Sequence, residues 1–327
     1  MSNKKINIIV PCYNEGEVVI QFYKALTKQL ESINDYEYSI FFIDDGSSDN
    51  TLKIIQQVAL SDKRVRYISF SRNFGKESAM IAALEHVDGD CAIIMDADLQ
   101  HPPELIPRMI EKYEQGNDQV IGRRTRTGDP PVKTLCARMY YKLVNKVMDV
   151  DIKDGAGDYR LISRPVIDAL ISLKESNRFS KGLFSWVGFD QVYIEYENEA
   201  RAAGETKWSF KKLLNYGIDG MLSFNAQPLK ICMIIGVVFI AMSIAYLAFL
   251  LMRIMVSGVD LPGYFTTIAI TCMLGGIQLI SIGIIGEYVG KIYQETKRRP
   301  SYIIQKTNLD SSTNTLNFVK RSDVNNG

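Results

Sequence analysis

The chain has 327 residues, enough for one large α/β domain with appendages, and it can bury a sizeable core without disulfides or structural metals. Its 38 Lys and Arg against 37 Asp and Glu leave a net charge of +1, which gives no electrostatic reason to expect nucleic acid as a partner. The five cysteines (Cys12, Cys91, Cys136, Cys232 and Cys272) are scattered, with no Cys-x-x-Cys pair, and only two histidines are present, His86 and His101; this argues against a disulfide framework or a zinc site and fits a reducing, cytosolic environment.

In chain order, residues 6–10 form a short apolar run closed by Pro11. It is too short for a signal-peptide core and reads as a first strand. Residues 17–33 read as a helix, 38–43 as a strand, 51–60 as a helix, 65–69 as a strand, 78–86 as a helix and 91–95 as a strand. This alternation predicts a mainly parallel, Rossmann-like sheet with helices on both faces, whose ligands bind beyond the carboxyl ends of the strands. Four polar clusters stand at those ends: Pro11-Cys12-Tyr13-Asn14-Glu15, Asp44-Asp45-Gly46-Ser47-Ser48-Asp49, Ser71-Arg72-Asn73-Phe74-Gly75-Lys76 and Asp96-Ala97-Asp98. They are expected to converge on one site.

The C-terminal third differs. Residues 231–252 and 265–286 carry no charge, and each has about the 20 residues a helix needs to cross a bilayer. Lys291, Lys297, Arg298 and Arg299 follow the second stretch, so the positive-inside rule puts that tail, and with two spans the N-terminal domain too, in the cytoplasm. The expected organisation is a catalytic domain over residues 1–208, an amphipathic interfacial helix over 209–228, two transmembrane helices over 229–290 and a cytoplasmic tail over 291–327. Residues 308–327, rich in Ser, Asn and Thr, are expected to be disordered. Gly275, Gly276, Gly283 and Gly286 suit close helix contacts within a chain or between copies.

The acidic clusters carry the chemistry. Asp96 and Asp98, one residue apart at a strand end, can hold a hard divalent cation through oxygen, with Gln100 as a neutral third ligand. Such a cation bridges a diphosphate and offsets charge on it as it leaves. Alone the pair is a weak signal, because surface loops hold many like it. Asp45 at its strand end can accept hydrogen bonds from a ribose or a base edge; Asp49 or Ser48 can equally cap the next helix. Glu15 near a helix start has a structural explanation in the helix dipole, and Tyr13 can stack on a base. Asp158 lies among glycines, either beside a ligand or in a plain turn. Arg201 and Lys207 flank Gly204 in a basic loop suited to phosphate, or merely solvated. Arg123, Arg124 and Arg126 form a basic run that suits anionic headgroups.

Pro-x-Tyr-Asn-Glu, Asp-Asp-Gly-Ser-x-Asp-x-Thr, Arg-Asn-x-Gly-Lys and Asp-Ala-Asp-Leu-Gln occur here in that order. Together they resemble the family 2 glycosyltransferases of GT-A fold, and within them the branch containing dolichol-phosphate mannose synthase and the bactoprenol glucosyltransferases, over residues 5–305. The resemblance implies that Pro11, Tyr13, Glu15, Ile43 and Asp45 hold the nucleoside. It implies that Asp96, Ala97, Asp98 and Gln100 hold the diphosphate with Mg²⁺ or Mn²⁺, with Lys76 and Arg124 on the nucleotide-sugar. Asp158 falls in the segment that supplies the catalytic carboxylate, and Arg201 and Lys207 in the loop that meets donor and acceptor phosphates.

The implied reaction is inverting transfer of one sugar from a nucleotide-sugar, UDP-glucose by preference, onto a polyprenyl (undecaprenyl) phosphate. UDP-GlcNAc and GDP-mannose are the alternative donors, and a non-catalytic nucleotide-binding scaffold is the alternative role. A processive polysaccharide synthase is disfavoured, because neither Trp186 nor Trp208 ends a Gln-x-x-Arg-Trp motif. A nucleotidyltransferase would want an N-terminal Gly-rich phosphate loop, which is absent.

Overall fold

A computed structural model describes residues 4–33, 35–125, 153, 155–175, 178–197, 227–257 and 263–309. The elements in chain order are β1 (Lys4–Cys12), α1 (Val19–Leu30), β2 (Tyr36–Asp44), α2 (Thr51–Ser61), β3 (Val65–Phe70), α3 (Lys76–Leu84), β4 (Cys91–Ile94), a short 3₁₀ turn (Pro103–Leu105), α4 (Ile106–Glu114), β5 (Gln119–Arg124), β6 (Ala156–Ser163), α5 (Arg164–Ser172), α6 (Ser180–Trp186), β7 (Gln191–Tyr196), α7 (Gln227–Ser257), α8 (Tyr264–Thr296) and β8 (Ile304–Thr307).

The eight strands form one sheet in the order β7-β5-β6-β4-β1-β2-β3-β8. Its centre, β4-β1-β2-β3, is parallel, as the βα alternation requires. Consecutive residues Ile8 and Ile9 of β1 are both fully buried, because helices cover both faces and a two-sided strand has no polar side. One face packs Ile8, Val10, Ile40, Phe42 and Ile93 under α1 and α4; the other packs Ile9, Phe41, Ile43, Ile68 and Ile94 under α3, α5 and α6. Phe22 of α1 meets Phe42 edge-on, with ring centroids 6.4 Å apart. Burying each such side chain is worth about 1.5–3 kcal/mol. In α3 Ala79, Met80, Ile81, Ala82, Ala83 and Leu84 are all buried, which seats the helix, with Lys76 at its first position, on the sheet.

Two pairings break the parallel pattern. β6 runs antiparallel between β4 and β5, so its first residues, Asp158 among them, lie at the ligand end of the sheet. β8 pairs antiparallel with β3 at the opposite edge. Here the structure departs from the expected organisation. The catalytic sheet does not end near residue 208, and the segment after α8 is not all tail. Tyr302 and Ile304 are buried against the sheet; the Tyr302 ring stacks on Phe70 at 5.2 Å. The Asn308 side chain accepts from the Tyr67 amide at 2.8 Å and donates to the Val65 carbonyl at 2.9 Å. An exposed sheet edge wants such a partner. Asn308 and Leu309 are thus ordered, while residues 310–327 lie outside the described residues.

α7 and α8 are long, 31 and 33 residues, or about 45–50 Å at 1.5 Å per residue. Among the described residues one segment, Met273–Thr296, is long and apolar enough to cross a membrane; a shorter apolar segment, Gly236–Tyr246, lies in α7. Among their described residues, the large apolar side chains Ile234, Val237, Met242, Phe249, Leu279, Ile282 and Ile285 are exposed. The expected interfacial helix over 209–228 lies outside the described residues up to position 226.

Candidate active site

The carboxyl ends of β1, β2 and β3 are adjacent in the sheet, with Cys12 beside Asp44 and Asp44 beside Ser69. Their loops are stitched together. The Asn14 amide donates to Ser47 Oγ at 2.9 Å, and the Ser48 amide to Asn14 Oδ1 at 2.9 Å. The Glu15 amide donates to Thr51 Oγ1 at 2.9 Å, and the Gly16 amide to Asp49 Oδ2 at 3.1 Å. Asn14 sits at φ 53°, which asparagine tolerates better than most residues. Gly46, at φ 66°, lies so near the Arg72 backbone that a Cβ would come within 2.4 Å of it. Glycine is therefore required where the second loop meets the third.

The acidic residues of these loops, the expected nucleoside contact Asp45 among them, have structural work in this arrangement. Asp44 is buried and accepts from the Ser47 amide at 3.1 Å and the Ser69 hydroxyl at 2.7 Å. Asp45 accepts from the Phe74 and Gly75 amides at 2.6 and 2.9 Å, which fixes the turn into α3. Burial raises its pKa against the pull of those two amides. Asp49 accepts from Thr51 N and Oγ1; partial burial opposes ionisation, but the Thr51 and Gly16 hydrogen bonds prevail and its pKa is lowered. Asp49 thus ties down the first amide of α2, one residue ahead of the N-cap Asn50. Ile43 and Ala97 are buried in the core, so only their main chains can face a ligand. Pro11 and Glu15 are half-buried, and Tyr13 is exposed at the lip, open to a base.

The acidic centre follows from the sheet topology. Antiparallel pairing sets Ile94 of β4 opposite Arg160 of β6, and continuing that register two residues brings Asp96 opposite Asp158. Facing carboxylates repel. Lys76 reaches between them: its Nζ lies 2.6 Å from Asp96 Oδ1 and 2.7 Å from Asp158 Oδ2. Burial works against the ammonium, but Asp158 and Asp96 outweigh it and the Lys76 pKa rises above the ordinary value. Burial likewise opposes the Asp158 carboxylate, yet attraction by Lys76 and then Lys181 holds its pKa well below the usual range. Asp96 is lowered in the same way, by Lys76 and then His101 against burial. The Lys76, Asp96 and Asp158 side chains keep 38%, 32% and 18% of their surface exposed, so a ligand can reach all three.

The turn after β4 is tightly specified. His101 accepts the Asp96 amide through Nδ1 at 2.9 Å, which assigns the proton of the neutral ring to Nε2. The ring stacks on Tyr159 at 4.9 Å, and Tyr159 donates to the Pro102 carbonyl at 2.8 Å. Burial lowers the His101 pKa, with Asp96 opposing. Leu99 stands at φ 61°, a strained conformation for leucine that persists only when its surroundings enforce it. The strain turns Asp98 so that its Oδ1 accepts the Gln100 amide at 3.1 Å. No group of three or more His, Cys, Asp or Glu poised for a metal occurs among the described residues. Mg²⁺ and Mn²⁺ need none, since they are held by one or two carboxylates together with substrate phosphates. The Lys76 ammonium on Asp96 shows that this position favours a cation, so the residues fit a metal–diphosphate.

Arg124 ends β5, its amide on the Gly155 carbonyl at 3.0 Å. Gly155, at φ 80°, would place a Cβ within 2.5 Å of the Arg124 carbonyl, so glycine there brings the Asp158 strand against Arg124. Arg201 and Lys207 lie outside the described residues. Three residues escape the sequence reading. His101 has a legible signal, a histidine three residues beyond Asp98. Lys181, an electrostatic partner of Asp158, has none, because α6 comes from far along the chain. Arg160, buried with its guanidinium 3.8 Å from the Phe184 ring centroid, carries no local signal of its contact with a ring from α6.

A mainly parallel sheet with two carboxylates bridged by a lysine where two neighbouring strands meet at its ligand end is the architecture of a GT-A-like α/β domain. The chain belongs to glycosyl transferase family 2: that family's model matches residues 7–171, and the GtrB C-terminal hairpin model matches residues 227–292. It is 50% identical to CsbB of Bacillus subtilis (strain 168) over 325 residues, 98% of each chain. It is 42% identical over 303 residues to the prophage bactoprenol glucosyl transferase homolog of Escherichia coli (strain K12), covering 92% of this chain and 99% of that one. The bactoprenol glucosyl transferase of Shigella phage SfX is 43% identical over 302 residues, 92% of this chain and 99% of that one.

Proposed function

We propose that the protein moves one glucosyl unit from UDP-glucose onto undecaprenyl phosphate at the cytoplasmic face of the membrane, inverting the anomeric centre. The observation that carries this reading is the likeness to bactoprenol glucosyl transferases over 92% of the chain, hairpin included. A match confined to the catalytic domain would leave the acceptor open. The hairpin supplies the place where a polyprenyl chain lives, with its phosphate at the surface. On this reading α7 and α8 both span the bilayer. The β3–β8 pairing supports it, since it keeps the segments before and after the hairpin on one side. Lys291, Lys297, Arg298 and Arg299 favour the cytoplasm for that side.

The nucleoside would lie across the first two loops, with Tyr13 against the base and Asp45 holding the turn beneath it. Asp98, Asp96 and Gln100 would hold Mg²⁺ or Mn²⁺, which supplies charge to a departing diphosphate when bound. Arg124 would add a donor to the same oxygens. The acceptor needs little activation, because a phosphate monoester has a second pKa of about 6 and is largely ionised at neutral pH. A carboxylate held as strongly ionised as Asp158 is a poor proton acceptor. Its role is then to orient the acceptor and to stabilise positive charge growing at the sugar C1 in an oxocarbenium-like transition state. Arg201 and Lys207 would meet the two phosphates.

Full-length protein in lipid, given undecaprenyl phosphate, Mg²⁺ or Mn²⁺ and one radiolabelled sugar nucleotide at a time, should send label into the organic extract from UDP-glucose. EDTA or Asp98→Ala should abolish it. Label from UDP-GlcNAc or GDP-mannose instead would keep the reaction and replace the sugar. No label from any donor, with folded protein, would favour a non-catalytic nucleotide-binding role.

A further inference from the structure

Lys76 has a fixed backbone position from which a long side chain reaches into the site. It opens α3 directly after Gly75, whose φ of 97° and amide bond to Asp45 set the turn. The next residue, Glu77, is anchored by the Ser180 hydroxyl and amide. The four-carbon stem beyond that rigid start carries a compact, mobile charge. Its ammonium occupies Asp96 Oδ1 at 2.6 Å, one of the oxygens a metal would use. An ammonium and a divalent cation on one carboxylate edge repel each other strongly. One cation must therefore give way to the other.

Resting on the metal-dependent reaction proposed above, we propose that Lys76 is an exchangeable counter-ion. It bridges Asp96 and Asp158 in the donor-free enzyme. It yields Asp96 to the divalent cation that arrives with a nucleoside diphosphate, and swings onto the phosphate oxygens while Asp158 stays at its flank. Two consequences follow from charge alone. Metal binds weakly without a diphosphate, because it must displace a lysine unaided. With a diphosphate present it binds well, because the phosphates offer the displaced ammonium a new anionic partner. The lysine thereby couples metal entry to donor entry and keeps Asp96 and Asp158 from repelling one another between turnovers.

The test is Mn²⁺ binding to the full-length protein in nanodiscs, followed by electron paramagnetic resonance, with and without UDP and with no sugar or lipid acceptor present. Wild type should bind Mn²⁺ weakly alone and tightly with UDP. Lys76→Met should bind Mn²⁺ alone about tenfold or more tighter than wild type, since a repelling unit charge has gone, and UDP should add less. Lys76→Arg should behave as wild type. Lys76→Gln, which keeps a hydrogen-bond donor between the carboxylates, gives the same readout as Lys76→Met should the methionine variant fail to fold. Folded neutral variants that bind Mn²⁺ alone no better than wild type would overturn the exchange and make Lys76 a permanent strut. Failure of wild type to bind Mn²⁺ even with UDP would overturn the metal reading of the reaction itself, and the exchange with it.

Discussion

At the scale of single residues, the site is a charge problem solved by one lysine. Asp96 and Asp158 face each other across antiparallel strands and are held by Lys76 at 2.6 and 2.7 Å. If Asp158 orients the acceptor and supports charge at C1, Asp158→Asn should lower kcat by about 100-fold or more while the protein still binds UDP; near-complete retention of turnover would refute that role. Gly46 offers a test of the loop architecture. Its φ of 66° and the Arg72 backbone 2.4 Å from a built Cβ predict that Gly46→Ala costs about 1–3 kcal/mol in thermal unfolding and weakens nucleotide binding.

Away from the site, Asp62 accepts from Tyr23 at 2.7 Å and from Arg64 Nε at 2.9 Å. Its pKa is lowered from 3.8 to about 2, by the Arg64 hydrogen bond first and the Tyr23 one after burial is overcome. A depressed carboxylate adds stability that is full above its unfolded pKa and disappears as pH falls through its folded pKa. Asp62→Asn should therefore cost about 1–2 kcal/mol near neutral pH, with the gap from wild type closing between about pH 4 and pH 2. A gap of constant size across that range would show that the charge is not what matters.

At the scale of elements, the first half of the sheet is legible in the sequence and the second is not. The βα rhythm places β1 to β4 and the three helices between them to within about three residues, because runs such as Ile40 to Ile43 are apolar on both faces and end in polar turns. The helix read over 17–33 is shorter, Val19–Leu30, since Glu15 and Gly16 are committed to the loops of the second strand. The identity of the four clusters is legible too; their bonds to one another are not, because Asn14 and Ser47 come together only through parallel register. β6 escapes because nothing local says that a glycine-rich segment inserts antiparallel beside β4. β8 escapes because it is four residues long and stands behind an apolar helix. Its contribution can be measured: Tyr302→Ala, which removes a ring stacked on Phe70, should lower the melting temperature of the catalytic domain, consistent with about 3–5 kcal/mol for losing a large buried aromatic. An unchanged melt would mean that the edge strand is not part of the cooperative unit.

At the scale of the whole molecule, the chain closes a circuit. The described chain passes from β7 in the sheet to α7 and α8 and returns to the sheet at β8, which lies directly beside β3 and so near the loop that leads into Lys76. The segment after α8 is thereby fastened to the catalytic sheet by strand pairing, which, on the proposed reaction, would hold the site at a fixed height above a bilayer. The exposed apolar surfaces of α7 and α8 are what lipid would cover.

The proposed reaction joins one glucosyl unit, and no more, to a polyprenyl phosphate. Mass spectrometry of the lipid recovered after incubating the full-length protein with UDP-glucose, undecaprenyl phosphate and Mg²⁺ tests it directly. The account predicts a single new species, heavier than undecaprenyl phosphate by one hexosyl unit, at every time point. A ladder of two, three or more sugars, or lipid of unchanged mass beside intact UDP-glucose, would contradict it.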